Sequence, residues 1–217
     1  MDEYHKINTM FKRDMANGGR LLLGQWSTPE FEYLSENRWV FTEKVDGMNI
    51  RVQWRGGSVT YGGKTDAASI PAPLVARLIE RFGGTNGAAR LGTVFDCDAC
   101  LYGEGYGAKI QKGGGNYRPD QDFVLFDVRV GGWWLKREDV EDVAKKLGLD
   151  VVPEVGRGRL SDGIRLVQDG FTSRWGPFVA EGIVARPTVE LKDRNGNRII
   201  TKIKYVDFAE NAKKGGG

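Results

Sequence analysis

Cysteine and histidine are nearly absent from the 217-residue chain, which holds two of the first and one of the second. Cys97 and Cys100 form a lone Cys-x-x-Cys, and His5 is the sole histidine. A structural zinc site needs a full tetrahedral set of such ligands, so the cysteines read as ordinary thiols and His5 as a surface residue. Long apolar runs are missing too. None approaches the roughly 20 residues of a membrane span, and the opening Met1-Asp2-Glu3-Tyr4-His5-Lys6 has no apolar signal-peptide core. A cytoplasmic chain with no membrane partner is expected. Strong charge of one sign is also lacking: the net charge is +3 and the pI ≈ 8.8. That is compatible with a polyanion partner but short of the footprint of a dedicated nucleic-acid binder. Neither a repeat of roughly 20–50 residues nor a dividing linker interrupts the chain.

What is present is an ordinary soluble composition, 40% hydrophobic and 28% charged, long enough to bury a sizeable core. One domain over residues 1–208 and a frayed polar tail over 209–217 are expected. Residues 1–20 carry Lys6, Lys12, Arg13 and Arg20. They are either a capping segment with solvated charges or a basic edge near a phosphate site. Alternation predicts strands over 38–43, 49–54 and 58–61, followed by the glycine-rich basic loop Gly62-Gly63-Lys64-Thr65-Asp66. Apolar residues at 74, 75, 78, 79 and 82 predict a helix that Gly83-Gly84 stops. Further strands are predicted over 93–102, 122–130, 151–155, 178–186 and 197–208, with helices over 137–147 and 162–167. The 122–130 run is apolar enough to be central. The loop over 107–117, rich in glycine and lysine, is either a flexible linker or a backbone-rich phosphate cradle. Trp133-Trp134 is turn packing or, if exposed, a partner surface. The fold class is α+β, mostly antiparallel sheets with flanking helices.

One stretch stands out: Glu43-Lys44-Val45-Asp46-Gly47-Met48-Asn49, a lysine in a tight connection between two predicted strands. A loop lysine is by default a solvated charge. Glycine- and charge-bearing strand ends recur, however, at Tyr102-Gly103-Glu104-Gly105, Phe126-Asp127, Glu181-Gly182 and Lys202-Ile203-Lys204. Lysine attacks only when neutral, and a free pKa near 10.4 leaves about one part in 2,500 neutral at pH 7. Neighbouring cations such as Lys202 and Lys204 would favour the neutral form and offset charge on a reacting phosphoryl group. Glu104 and Glu181 are oxygen ligands of the kind Mg²⁺ takes together with phosphate. Phe126 offers a flat face for a base.

Lys44-Val45-Asp46-Gly47 resembles the Lys-x-Asp-Gly motif of the covalent nucleotidyltransferases, which include ATP-dependent DNA ligases, RNA ligases and mRNA-capping enzymes. Tyr102-Gly103-Glu104-Gly105, Phe126-Asp127, Glu181-Gly182-Ile183-Val184 and Lys202-Ile203-Lys204 resemble the later motifs of that superfamily, in its order. The resemblance implies a ligase adenylation fold and a lysyl–AMP intermediate on Lys44, with Lys202 and Lys204 as catalytic partners. It also implies a nucleotide site built from Glu43, Asp46, Gly47, Asn49, Lys64, Glu104, Phe126, Glu181, Val184 and Arg186. Within that set Phe126 and Val184 cover the two base faces, and Glu104 and Glu181 are the metal-binding acids. ATP and Mg²⁺ are the implied cofactors, with Mn²⁺ as the substitute.

Asn49 and Glu181-Gly182-Ile183-Val184-Ala185-Arg186-Pro187 look most like the type-2, nick-sealing RNA ligases, including small phage-encoded enzymes acting in the host cytoplasm. The residues after Lys204 are too few for the OB-fold of DNA ligases and capping enzymes, or for the helical C-terminal domain usual in type-2 RNA ligases. Strand sealing is therefore expected to be weak, narrow in substrate or dependent on a protein partner. Lys64 stands where arginine is usual, and Arg186 where lysine is frequent; charge is kept but not donor geometry. The substrate implied is RNA ends, in a nicked duplex or single strands. DNA ends, GTP-dependent capping and a non-catalytic nucleic-acid-binding role are the alternatives.

Overall fold

The structure is a computed structural model that describes residues 3–208; the predicted tail lies outside the described residues. In chain order the elements are β1 (Asn8–Thr9), β2 (Phe11–Asp14), β3 (Arg20–Trp26), α1 (Pro29–Tyr33), β4 (Trp39–Glu43), β5 (Met48–Arg55) and β6 (Ser58–Gly62). Then come α2 (Ala72–Phe82), α3 (Gly84–Val94), β7 (Ala99–Gly107), β8 (Gln121–Val130), β9 (Trp133–Trp134) and α4 (Arg137–Leu147). The last are β10 (Glu154–Gly158), α5 (Leu160–Asp169), β11 (Gly182–Pro187) and β12 (Thr201–Lys204). The α+β, mostly antiparallel expectation holds; among the described residues the one parallel strand pair is β1 with β12. No helix of the described residues is long and apolar enough to cross a membrane.

The chain divides into two compact units. One takes residues 1–5 and 46–152, the other 6–45 and 153–217. The lysine-bearing unit holds a five-stranded sheet of order β1-β12-β11-β4-β10 and the β2-β3 hairpin. Trp39, Phe41, Ile183, Ala185 and Leu160 build its core with Met10 and Phe11. The other unit is a five-stranded sheet of order β6-β5-β7-β8-β9, with Leu74, Leu78 and Phe82 of α2 packed among Ile50, Leu101 and Phe123. The chain passes between units at His5–Lys6, at Val45–Asp46 and at Val152–Pro153.

Several predicted boundaries shift. Residues 11–20 enter a hairpin whose turn has Gly18 and Gly19 at φ 72° and 73°. Asn17-Gly18 ahead of Leu21 is the sequence signal for it. Gly83-Gly84 does stop α2, but Gly84 at φ 63° turns the chain straight into α3. A Cβ on Gly87 would lie 2.2 Å from the Phe82 backbone, so glycine is what lets the two helices approach. The strand predicted from 93 therefore begins only at Ala99. The strand predicted over 151–155 is β10, starting at Glu154; Val151 makes only a bridge to Leu125. Only Gly182–Pro187 of 178–186 and Thr201–Lys204 of 197–208 are strand, and 205–208 is helical. The 122–130 strand is interior but next to last in its sheet, with β7 at the centre. His5 is half-buried against Trp134, at 5.7 Å between ring centroids. Trp133 is 75% exposed. Cys97 is exposed and Cys100 buried.

Candidate active site

Lys44 follows the last residue of β4, and its N–H donates to the Gly182 carbonyl at 2.9 Å. That bond ties it to the start of β11. Gly182 fits there because it sits at φ 151° with the Ile203 carbonyl 2.0 Å from where a Cβ would be. The Lys44 ammonium meets Oε2 of Glu181 at 2.6 Å, and the Lys204 ammonium meets Oε1 of the same carboxylate at 2.8 Å. Three predicted site residues, far apart in sequence, thus form one bridge on one unit. Its side chains are only partly exposed, 21% for Lys44, 13% for Glu181 and 33% for Lys204.

Register sets the neighbours. Val184 pairs with Lys202 on one side and Thr42 on the other, while Gly182 pairs with Lys204. Alternation puts Lys202 and Lys204 on one face of β12, and Val184 and Arg186 on the matching face of β11. Arg186 is buried. Glu43 pairs with Ile183 of the core and is itself buried, its Oε2 accepting the Arg174 N–H at 2.9 Å. Burial pushes the Glu43 carboxyl above the ordinary range, against the opposing pull of the Arg174 N–H and the Ser173 hydroxyl. Its carboxylate holds the 173–175 turn.

The remaining predicted residues belong to the other unit. Asn49 of β5 pairs with Glu104 of β7, and Glu104 with Val124 of β8, so the three share a face. Between Tyr102–Asp127 and Gly103–Leu125 the register slips, which leaves Phe126 as the extra residue of a bulge. Bulges re-aim side chains and recur beside active sites. The Tyr4 ring meets Phe126 edge-on, at 5.1 Å between centroids, while its hydroxyl donates to Asp127 at 2.8 Å. Gly47 is required by close approach: a Cβ there would stand 2.2 Å from the Gly105 carbonyl and 2.7 Å from Cγ of Glu104. Lys64 is exposed. Its loop is pinned by buried Arg51, whose Nε donates to the Gly63 carbonyl at 2.7 Å and whose Nη2 meets Asp66 at 2.8 Å.

The two acids expected to bind metal divide as well, Glu181 on one unit and Glu104 on the other. Among the described residues no group of three or more His, Cys, Asp or Glu could hold a metal ion. Sequence reasoning missed Arg51, Tyr4, Gln111 and Tyr117. The alternation of β5 signals Arg51; nothing local signals the other three.

Residues 37–206 match the family model described as RNA ligase. The chain belongs to the RNA ligase family. Solved structures similar to this family member include Naegleria gruberi RNA ligase with pyrophosphate, at 18% identity and TM-score 0.66 over 99% of this chain and 60% of that one. A lysine-to-alanine variant of the same enzyme with ATP and Mn gives 17% identity and TM-score 0.68 over 98% and 60%. No curated protein matches the sequence. At these identities the likeness is one of fold, the α+β nucleotidyltransferase type. The chain spans 60% of the length of those structures.

Proposed function

We propose that this RNA ligase family member is an ATP-dependent polynucleotide ligase acting on RNA ends, with residues 1–208 working as one adenylation domain. The observation that carries the reading is the Lys44–Glu181–Lys204 bridge, with ammonium–carboxylate distances of 2.6 and 2.8 Å. Nζ of Lys44 attacks the α-phosphorus of ATP, an N–P bond forms, the α–β P–O bond breaks and pyrophosphate leaves. The lysine must be neutral to attack, and Oε2 of Glu181 would take its proton. Lys204 and Lys202 then balance the negative charge gathering on the phosphoryl oxygens. An oxygen of an RNA 5′-phosphate next displaces lysine from the phosphoramidate and takes the AMP. Finally a 3′-hydroxyl attacks that 5′-phosphorus, AMP leaves, and the strands are joined.

Val184 and Phe126 are the proposed apolar faces for the adenine, Arg186 and Lys64 the phosphate contacts, and Asn49, Asp46 and Gly47 the remaining nucleotide-side positions. Glu43 supports the site by holding the Arg174 turn. The donor chemistry fits a divalent ion shared between carboxylate and phosphate. Both oxygens of Glu181 are engaged by ammonium groups; Glu181 and Glu104 are the two proposed ligands. Mg²⁺, or Mn²⁺ as in the Naegleria structures, would supply charge neutralisation at the phosphates when bound.

The test uses ATP labelled at the α-phosphate, followed by a nicked duplex with a 5′-phosphate and an RNA or a DNA 3′-hydroxyl. Wild type should gain acid-labile label and seal the RNA nick faster. Absence of label would falsify adenylation; equal or faster sealing of the DNA nick would remove the RNA assignment.

A further inference from the structure

The segment joining β7 and β8 has the composition of a flexible linker, yet Gly107 and Gly114 are there for close packing. A Cβ on Gly114 would fall 2.0 Å from the Gly107 carbonyl, and Gly107 itself stands at φ 117° with the Asp120 carbonyl 1.9 Å from its missing Cβ. The Ala108 N–H donates to the carbonyls of Arg118 and Asp120, both at 3.1 Å, and the Tyr117 N–H to Gly114 at 3.1 Å. Arg118 fixes the far end on Asp122 and Asp120. The segment is a closed, cross-braced loop.

Two of its side chains grip the motif that contains the lysine. The hydroxyl oxygen of Tyr117 accepts the Asp46 N–H at 3.1 Å, and Nε2 of Gln111 donates to the Gly47 carbonyl at 3.0 Å. Tyr117 is 9% exposed, its ring braced edge-on by Tyr106, so its oxygen has little room to drift. Together the two contacts hold the N–H of the Val45–Asp46 peptide and the C=O of the Gly47–Met48 peptide, just beyond Lys44.

We infer that Tyr117, assisted by Gln111, is a positioning residue for lysine adenylation: it fixes the backbone of Asp46–Gly47 and so the chain direction in which Lys44 is presented. This rests on the proposed function. A misplaced nucleophile costs rate while nucleotide affinity survives, because orientation counts most in the transition state. Tyr117→Phe deletes only the oxygen and keeps the ring that packs on Tyr106, and Gln111 is exposed enough to be cut back without disturbing the core.

The experiment measures single-turnover AMP transfer from labelled ATP across ATP concentrations, with melting temperature, for wild type, Tyr117→Phe and Gln111→Ala. Loss of one such hydrogen bond should slow the transfer step about tenfold for Tyr117→Phe and about threefold for Gln111→Ala. Half-saturation by ATP and the melting temperature should hold. Transfer by Tyr117→Phe at the wild-type rate overturns the inference while leaving adenylation intact. So does a slowed rate that comes with an equal loss of ATP affinity or a lower melting temperature, since that marks a structural role. Wild type taking no AMP overturns the proposed function instead, and this inference with it.

Discussion

Asp122 in one unit and Glu43 in the other are each 1% exposed, and their surroundings are opposite. Asp122 gathers Arg81 at 2.6 Å, Arg77 at 3.2 Å and Arg118, and also accepts the Phe123 N–H at 2.8 Å. Burial alone would raise its carboxyl, but the Arg81 and Arg77 hydrogen bonds outweigh that and hold it well below the usual carboxylate range. Glu43 has the Arg174 N–H and the Ser173 hydroxyl as donors but one oxygen, Oε1, with no hydrogen-bond partner, and its carboxyl is raised. The cations of the lysine-bearing unit go elsewhere, with Lys44 and Lys204 on partly exposed Glu181. One unit thus puts its best-satisfied charge network into holding α2 against β8. The other keeps its charge where a substrate could use it and leaves an inner acid under-satisfied, as functional regions tend to.

The largest expected effect breaks the stabilising half of this contrast. Asp122→Asn leaves a cluster of part-exposed arginines without its buried anion and should cost roughly 3 kcal/mol by denaturant unfolding. A loss near zero would mean that the arginines re-pair with Glu80 and Asp120. The second breaks the chemical half. Glu181→Gln should slow AMP transfer about a hundredfold, while stability moves by less than about 1 kcal/mol because the pairs are part-exposed. A large stability loss with normal transfer would reverse the assignment of roles.

Gly47→Ala comes third. Its Cβ would strike the Gly105 carbonyl, and overpacking of that kind should cost about 2 kcal/mol, visible as a lower melting temperature. The smallest effect sharpens the contrast through pH. Asp122, with a depressed folded pKa, contributes stability that is present above the unfolded carboxylate value and lost as pH falls through the folded one. Glu43, with a raised folded pKa, contributes stability present below the unfolded value and lost as pH rises through the folded one. Glu43→Gln should therefore gain about 1 kcal/mol or less at neutral pH and nothing in acid, whereas acid should weaken wild type through Asp122. Identical wild-type and Glu43→Gln stabilities at every pH would remove the distinction.

The chemistry was more legible in the sequence than its supports. Lys44, Glu181 and Lys204 each sit at a strand end with a glycine or lysine within three residues, a local pattern. What makes them a bridge is the β4–β11–β12 register, which was only implied. Glu43 looked like a nucleotide-side acid because it adjoins Lys44, but strand alternation turns it to the Ile183 face. The supports of the Asp46–Gly47 turn act across 71 and 64 residues, and no periodicity reports a contact of that separation. Glycine misled twice: Gly84 and Gly87 hid α3, and Gly107 and Gly114 made a braced loop look like a linker. The first pair was read as a helix stop and the second as part of a linker or a phosphate cradle, where the fold uses the missing Cβ of each.

The most direct measurement is the position of the AMP. After incubation with ATP and Mg²⁺, the intact chain is digested and its peptides are weighed by mass spectrometry. A single adenylyl adduct on Lys44, absent from Lys44→Ala and removed by added pyrophosphate, is the expected result. An adduct on another residue, or none on wild type, would contradict the assignment of Lys44 as the nucleophile.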